Sequence, residues 1–154
     1  VPLPTSSEEI WPFIEKWPFA VLSFVTPSAE SRSAGVMYKV KDRVLYVLTG
    51  PETWKARHIQ ANPKVSVTVT VPRLPIRIRM APPAVITFAG TAEVLEMEEV
   101  DPDLRQALTR GVDDLPAMCA IKIVPSGNFV TYGIGIPMMQ MRHPEKALAR
   151  VPVA

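Results

Sequence analysis

Cysteine occurs once in these 154 residues, histidine twice and glycine only seven times. A single thiol, Cys119, rules out an internal disulfide, and no Cys-His or His-Glu spacing offers a zinc site. Cys119 reads as a buried core thiol, and a chain without disulfides fits a reducing, cytoplasmic setting. No apolar run approaches the ~18 residues of a membrane-spanning helix. The opening VPLPTSSEEI does not have the pattern of a signal peptide. A dominant charge is missing too. Seventeen basic residues face 15 acidic ones, a net +2, which argues against a nucleic-acid partner. There is no Gly-x-Ser-x-Gly elbow, no Walker loop and no Ser-His-Asp set, so hydrolase and kinase chemistry have no carrier.

What the chain does have is proline, 17 residues, and a hydrophobic share of 47%, enough to bury a core. We expect one domain over residues 1–154, with 1–8 as a flexible lead-in and 133–154 as a C-terminal extension. Short β-rich stretches are separated by turn signals. Residues 19–25 (FAVLSFV) read as a buried strand, and 33–40 and 44–48 as a hairpin about Lys41-Asp42-Arg43. VSVTVTV at 65–71 alternates with period two. Residues 85–95 form a long strand in which Gly90 marks a bulge or bend. Residues 117–124 and 129–132 complete the set. Helices are expected at 7–15, 53–61, 102–110 and 145–150. Six to seven antiparallel strands with a few short helices describe a mostly β protein closed into a barrel. Two stretches leave this scheme and are read as packing on a second subunit, a ligand or a membrane surface. They are the arginine- and proline-rich 72–83, with Arg73, Arg77 and Arg79, and the apolar, methionine-rich 133–141.

The most informative segment is LYVLTGPETWKARHIQANP at 45–63, a strand, a sharp turn and a short basic helix. Thr49 and Glu52 have the spacing of a capping box, and Pro51 suits a first helical turn. Lys55, Arg57 and His58 follow closely. Cations near a helix N-terminus oppose its dipole, and an anion held by the first amides and Lys55 relieves that conflict. If the 33–40 strand pairs with 44–48, Arg32 lies near Thr49 and joins the same anion. Trp54 reads either as a packing anchor or as a platform for a ring.

Taken in order, WPFAVLSFVTPSAESRSAGVMY, LYVLTGPETWKARHIQANPKVSVTV and ITFAGTAEVL resemble the pyridoxamine 5′-phosphate oxidase-like family of FMN-binding split β-barrels. The resemblance implies an FMN-dependent oxidoreductase acting on a small-molecule substrate, and a homodimer with the cofactor at the subunit interface. It carries phosphate contacts to Arg32, Thr49 and Lys55, with Asn62-Pro63 ending the helix. It places the flavin ring along the backbone amides of Ala34–Met37, Val36 included, and adds Ser33, Leu48, Trp54 and Arg57 to the cofactor-binding set. The chain departs from true pyridoxamine phosphate oxidases in three places. Trp54 stands where they carry a second cation, no glutamine lies near Val85, and the basic C-terminal tail is not recognisable. Oxidation of vitamin B6 is therefore not expected. The Thr-Trp-Lys form also occurs in relatives that use the deazaflavin F420, for whose acidic tail the three arginines of 72–83 are candidates. Haem-binding relatives use a C-terminal histidine, for which His143 is the candidate.

Overall fold

The structure, a computed structural model, describes residues 3–72 and 82–154; the arginine-rich stretch read above as a tail clamp lies mostly outside the described residues. Helix α1 (Ser7–Lys16) is followed by strands β1 (Phe19–Val25), β2 (Ser31–Met37), β3 (Lys39–Lys41) and β4 (Val44–Thr49). After α2 (Trp54–Ala61) come β5 (Lys64–Val71), β6 (Ala84–Glu96), α3 (Pro102–Thr109), β7 (Cys119–Tyr132), α4 (Pro144–Ala147) and β8 (Leu148–Pro152). All pairings are antiparallel, in the order β2-β1-β5-β6-β7-β4-β3, with β8 added on β7. The two ends of that order, β2 and β3, are separated in the chain by Tyr38 alone. The sheet therefore curls back on itself as a split barrel, the mostly β architecture read from the sequence.

Tyr38 is where the sequence expectation of one strand over 33–40 fails. Its buried hydroxyl shares its single proton between the carbonyls of Ile14 at 2.6 Å and Trp17 at 2.5 Å, and its own N–H donates to Pro18 O. The chain bends there to satisfy these groups. β2 stays on β1, and only Lys39–Lys41 crosses to pair with β4. Burial pushes the Tyr38 phenol well above its ordinary range, so it remains a donor.

Two further expectations change. The two strands expected at 117–124 and 129–132 are one continuous β7, whose register against β6 shifts between Thr87 and Ala89, with Gly127 at φ +70°. Gly90 follows that irregularity. A Cβ there would lie 2.9 Å from Val124 O, so the position demands glycine. The helix expected at 145–150 is only one turn, α4, and the chain continues as β8. Ala149 and Val151 face inward and their neighbours outward, a period of two, and Pro152 forbids a helical continuation.

The core is built from the inner faces of the strands with Ile10, Trp11 and Ile14 of α1 laid across them. Trp11 and Phe88 both meet Phe129 edge-on, at 5.5 and 5.3 Å between centroids. The 133–141 segment folds onto its own chain. Ile134 joins the core, the Gly133 N–H donates to Ala147 O, and the Tyr132 hydroxyl donates to Met141 O. Among the described residues, no helix is long and apolar enough to cross a membrane.

Candidate functional site

Strand β4 delivers the chain to Thr49, which is buried, and a turn over residues 50–53 leads into α2. The helix starts one residue after the expected 53, and its N-cap lies four residues beyond the Thr49 that the capping-box spacing implies. Thr53 is the N-cap, and its hydroxyl donates to Gly50 O at 2.9 Å and accepts from the Ala56 N–H. Thr53 has one proton and has given it to Gly50, so in the 3.1 Å contact between hydroxyls Thr49 donates. Thr49 thus secures the cap from beneath. Glu52 does not close a capping box; its carboxylate pairs with Arg57 across the exposed surface. Replacing Thr53 by Ala should cost about 1 kcal/mol of stability, the usual value of such a cap, read from urea unfolding of the apoprotein.

Capping satisfies Ala56, the third amide of the helix, and among the described residues the N–H groups of Trp54 and Lys55 have no backbone or capping partner. No acidic residue occupies the first turn, and Lys55 stands within it. Positive charge from the helix end and from the ammonium therefore accumulate at one point, which favours an anion there.

Two cavities meet at Lys55. One, a cleft of about 900 Å3, is lined by Arg32, Ser33 and Ala34 of β2, by Thr53, Trp54, Lys55 and His58, and by Phe24 and Glu30. The other, a pocket of about 350 Å3, is lined by Gly35, Val36 and Met37 of β2, by Val47 and Leu48 of β4, by Lys55, and by Leu108 and Arg110 beyond. Of the ten candidate residues, Arg32, Ser33, Ala34, Trp54 and Lys55 line the cleft, and Val36, Met37 and Leu48 line the pocket with Lys55. Thr49 and Arg57 line neither. Arg32 reaches this position through β1, opposite Phe24, rather than through pairing with β4. Its guanidinium also meets Glu30 at 2.5 Å, which offsets part of its charge. β2 ends the strand order, so one of its backbone edges has no strand partner among the described residues.

Some lining residues were not among the ten expected cofactor contacts, and His58, read only as a nearby cation, is one of them. His58 lies one helical turn after Trp54, a spacing that puts both on one face, and the two rings stack at 5.3 Å. That signal was available. Leu108 and Arg110, brought by α3 from far along the chain, carried none. Cys119 is buried, and burial, reinforced by Glu96, pushes its thiol above the ordinary range. His143 is exposed, with Nδ1 3.6 Å from a Glu145 carboxylate oxygen, and lines neither cavity. Among the described residues, no group of three or more His, Cys, Asp or Glu is placed to hold a metal.

The profile of the family described as pyridoxamine 5′-phosphate oxidase matches residues 6–126, from α1 into β7. The chain belongs to this family. Among solved structures, general stress protein 26 of Bacillus anthracis is 26% identical, with a TM-score of 0.58 over 81% of this chain and 92% of its own. An F420 reductase is 18% identical, at 0.58 over 84% and 98%. The heme storage protein of Vibrio cholerae is 16% identical, at 0.64 over 86% and 98%. The last two likenesses establish shared fold alone. Nothing among curated proteins matches.

Proposed function

We propose that this member of the pyridoxamine 5′-phosphate oxidase family is an oxidoreductase that binds a phosphorylated flavin, FMN in the simplest case. The observation that carries the reading is the convergence of Arg32, Lys55 and the free amides of α2 on one cleft that continues into an apolar pocket along β2. The donor set fits the group: cations and N–H groups for a phosphate, and Val36, Met37, Val47 and Leu48 for a planar ring. Lys55 and Arg32 hold the anion, Thr53 and Thr49 keep the helix end in place, and β2 supplies the ring's bed. A bound flavin supplies hydride transfer at its N5. N–H groups on the unpaired edge of β2 suit negative charge in the reduced ring. No side chain of the site is cast as acid or base. Oxidation of vitamin B6 is not part of the proposal, because Trp54 occupies the place of the second cation.

A homodimer with the cofactor between subunits belongs to the same reading. Supporting it, Phe19, Met37 and Trp54 are large apolar side chains exposed at or beside the cleft and pocket. F420 is the second reading. The pocket shares its ring-and-anion chemistry, and a structural neighbour is an F420 reductase. The deciding experiment is an anaerobic fluorescence titration of apoprotein with FMN and F420 in parallel. Tighter binding of FMN is expected; preference for F420 transfers the site to deazaflavin hydride transfer, and binding of neither overturns the oxidoreductase reading.

A further inference from the structure

Three of the seven methionines, Met138, Met139 and Met141, fall within four positions of one another. All three line one pocket of about 320 Å3, with Tyr132 and Arg142 beside them. That pocket shares no lining residue with the two cavities that meet at Lys55. Residues Met138–Arg142 form a short 3-10 helix. Side chains three apart lie on one face of such a helix, so Met138 and Met141 stand one above the other. Met141 is buried, but Met138 is 38% exposed and Met139 67%. A thioether that fills a gap in a core is buried. Two of these three face water instead.

The donors around the pocket decide what it can hold. A thioether sulfur is a soft, uncharged ligand that favours Cu(I), whereas calcium and magnesium require oxygen ligands. Among the described residues, no carboxylate lines this pocket, and the Tyr132 hydroxyl already donates to Met141 O. Hard divalent ions therefore find no charged oxygen there. Arg142 is the one charge among the described lining residues, and it is exposed, where solvent and salt screen it. Its repulsion of a monovalent ion is half that of a divalent one. Each methionine is unbranched, with three rotatable bonds, so the sulfurs can converge on an entering ion. We propose that Met138, Met139 and Met141 form a three-sulfur site for a soft monovalent metal ion, Cu(I), with Ag(I) as its redox-silent analogue. This site is independent of the flavin reading.

The test titrates the purified protein with silver nitrate in chloride-free buffer, and anaerobically with Cu(I) against a chromogenic chelator. One equivalent of either ion is expected, and X-ray absorption of the copper form should show sulfur as the nearest neighbour. Replacing the three together, Met138→Leu, Met139→Leu and Met141→Leu, nearly conserves volume and apolarity, so the fold should survive. The urea midpoint checks that. Affinity for both ions should fall by at least about 100-fold, since losing even an outer partner of a metal ligand costs roughly 10- to 100-fold. Cys119 and His143 line no part of the pocket, so Cys119→Ala and His143→Ala should bind as the unaltered chain does. Absence of binding, unchanged affinity in the folded three-fold variant, or loss of binding in Cys119→Ala or His143→Ala overturns the proposal. Nitrogen or oxygen as the nearest neighbour of copper does so as well, whether or not that variant folds.

Discussion

Phe129→Ala should destabilise the fold by about 3–5 kcal/mol, the cost of removing a buried aromatic side chain with partial collapse of the space. Phe129 is fully buried, sits on β7 where β8 pairs with it through Val151, and receives Trp11 from α1 and Phe88 from β6 edge-on. One ring therefore joins four elements, and its removal strips contacts from each. Because a domain's whole stability is typically 5–15 kcal/mol, the loss is a large part of the total. Chemical unfolding of the purified variant should show a lower midpoint with an unchanged slope. Phe129→Leu, closer in volume, should cost less than half as much. A loss below about 1 kcal/mol for the alanine variant would mean that α1 is not held through this ring. Phe129 lines neither cavity, so cofactor affinity per folded molecule should survive the change.

Lys55→Ala should weaken FMN binding by about 1.5–3 kcal/mol, the scale of a hydrogen bond to a charged group, or roughly 10- to 150-fold in Kd. Among the described residues, Lys55 is the one that lines both cavities, and it stands at a helix end whose dipole already favours an anion. Arg32→Ala should act in the same direction by a smaller amount. The Glu30 carboxylate beside Arg32 offsets its charge, and the guanidinium is about half exposed, where solvent and salt screen it. Riboflavin, which lacks the phosphate, provides the control: its affinity should be the same in the unaltered protein and in Lys55→Ala. Fluorescence titrations at low salt measure all three. Unchanged FMN affinity in Lys55→Ala would remove the phosphate from this cleft.

The elements whose side chains repeat with a clear local period were legible. β1 matches its expected range, and β4 and β5 differ from theirs by one residue at an end, because β1 and β4 are short apolar runs bounded by turns and β5 alternates valine with serine and threonine. The family match over residues 6–126 agrees with the resemblance read from the same segments. Misreadings fell where local signals competed. Thr49 and Glu52 have capping-box spacing, but Thr53 lies closer to the first helical turn, and Glu52 is drawn to Arg57. Pro125 and Gly127 look like a turn, yet a bulge accommodates them within β7 once β6 and β8 lie on either side. Pro144 starts a helix, and the alternation of Ala149 and Val151 then outweighs it as soon as an edge of β7 is there to pair with.

The sequence by itself determined the β-rich architecture, the strand–turn–helix with Lys55 at its head, and the family, since these rest on contacts between residues close together in the chain. Only the tertiary structure decided that Arg32, paired opposite Phe24 of β1, lines the same cleft as Lys55, that Thr53 rather than Thr49 caps the helix, that α3 walls the pocket, and that the His58 ring stacks with both Trp54 and Phe24. The reason is physical: periodicity encodes which face of an element is apolar. Which distant faces then meet depends on how the sheet curls, and here that turns on Tyr38, whose buried hydroxyl binds the carbonyls behind α1 and bends the chain from one end of the sheet to the other.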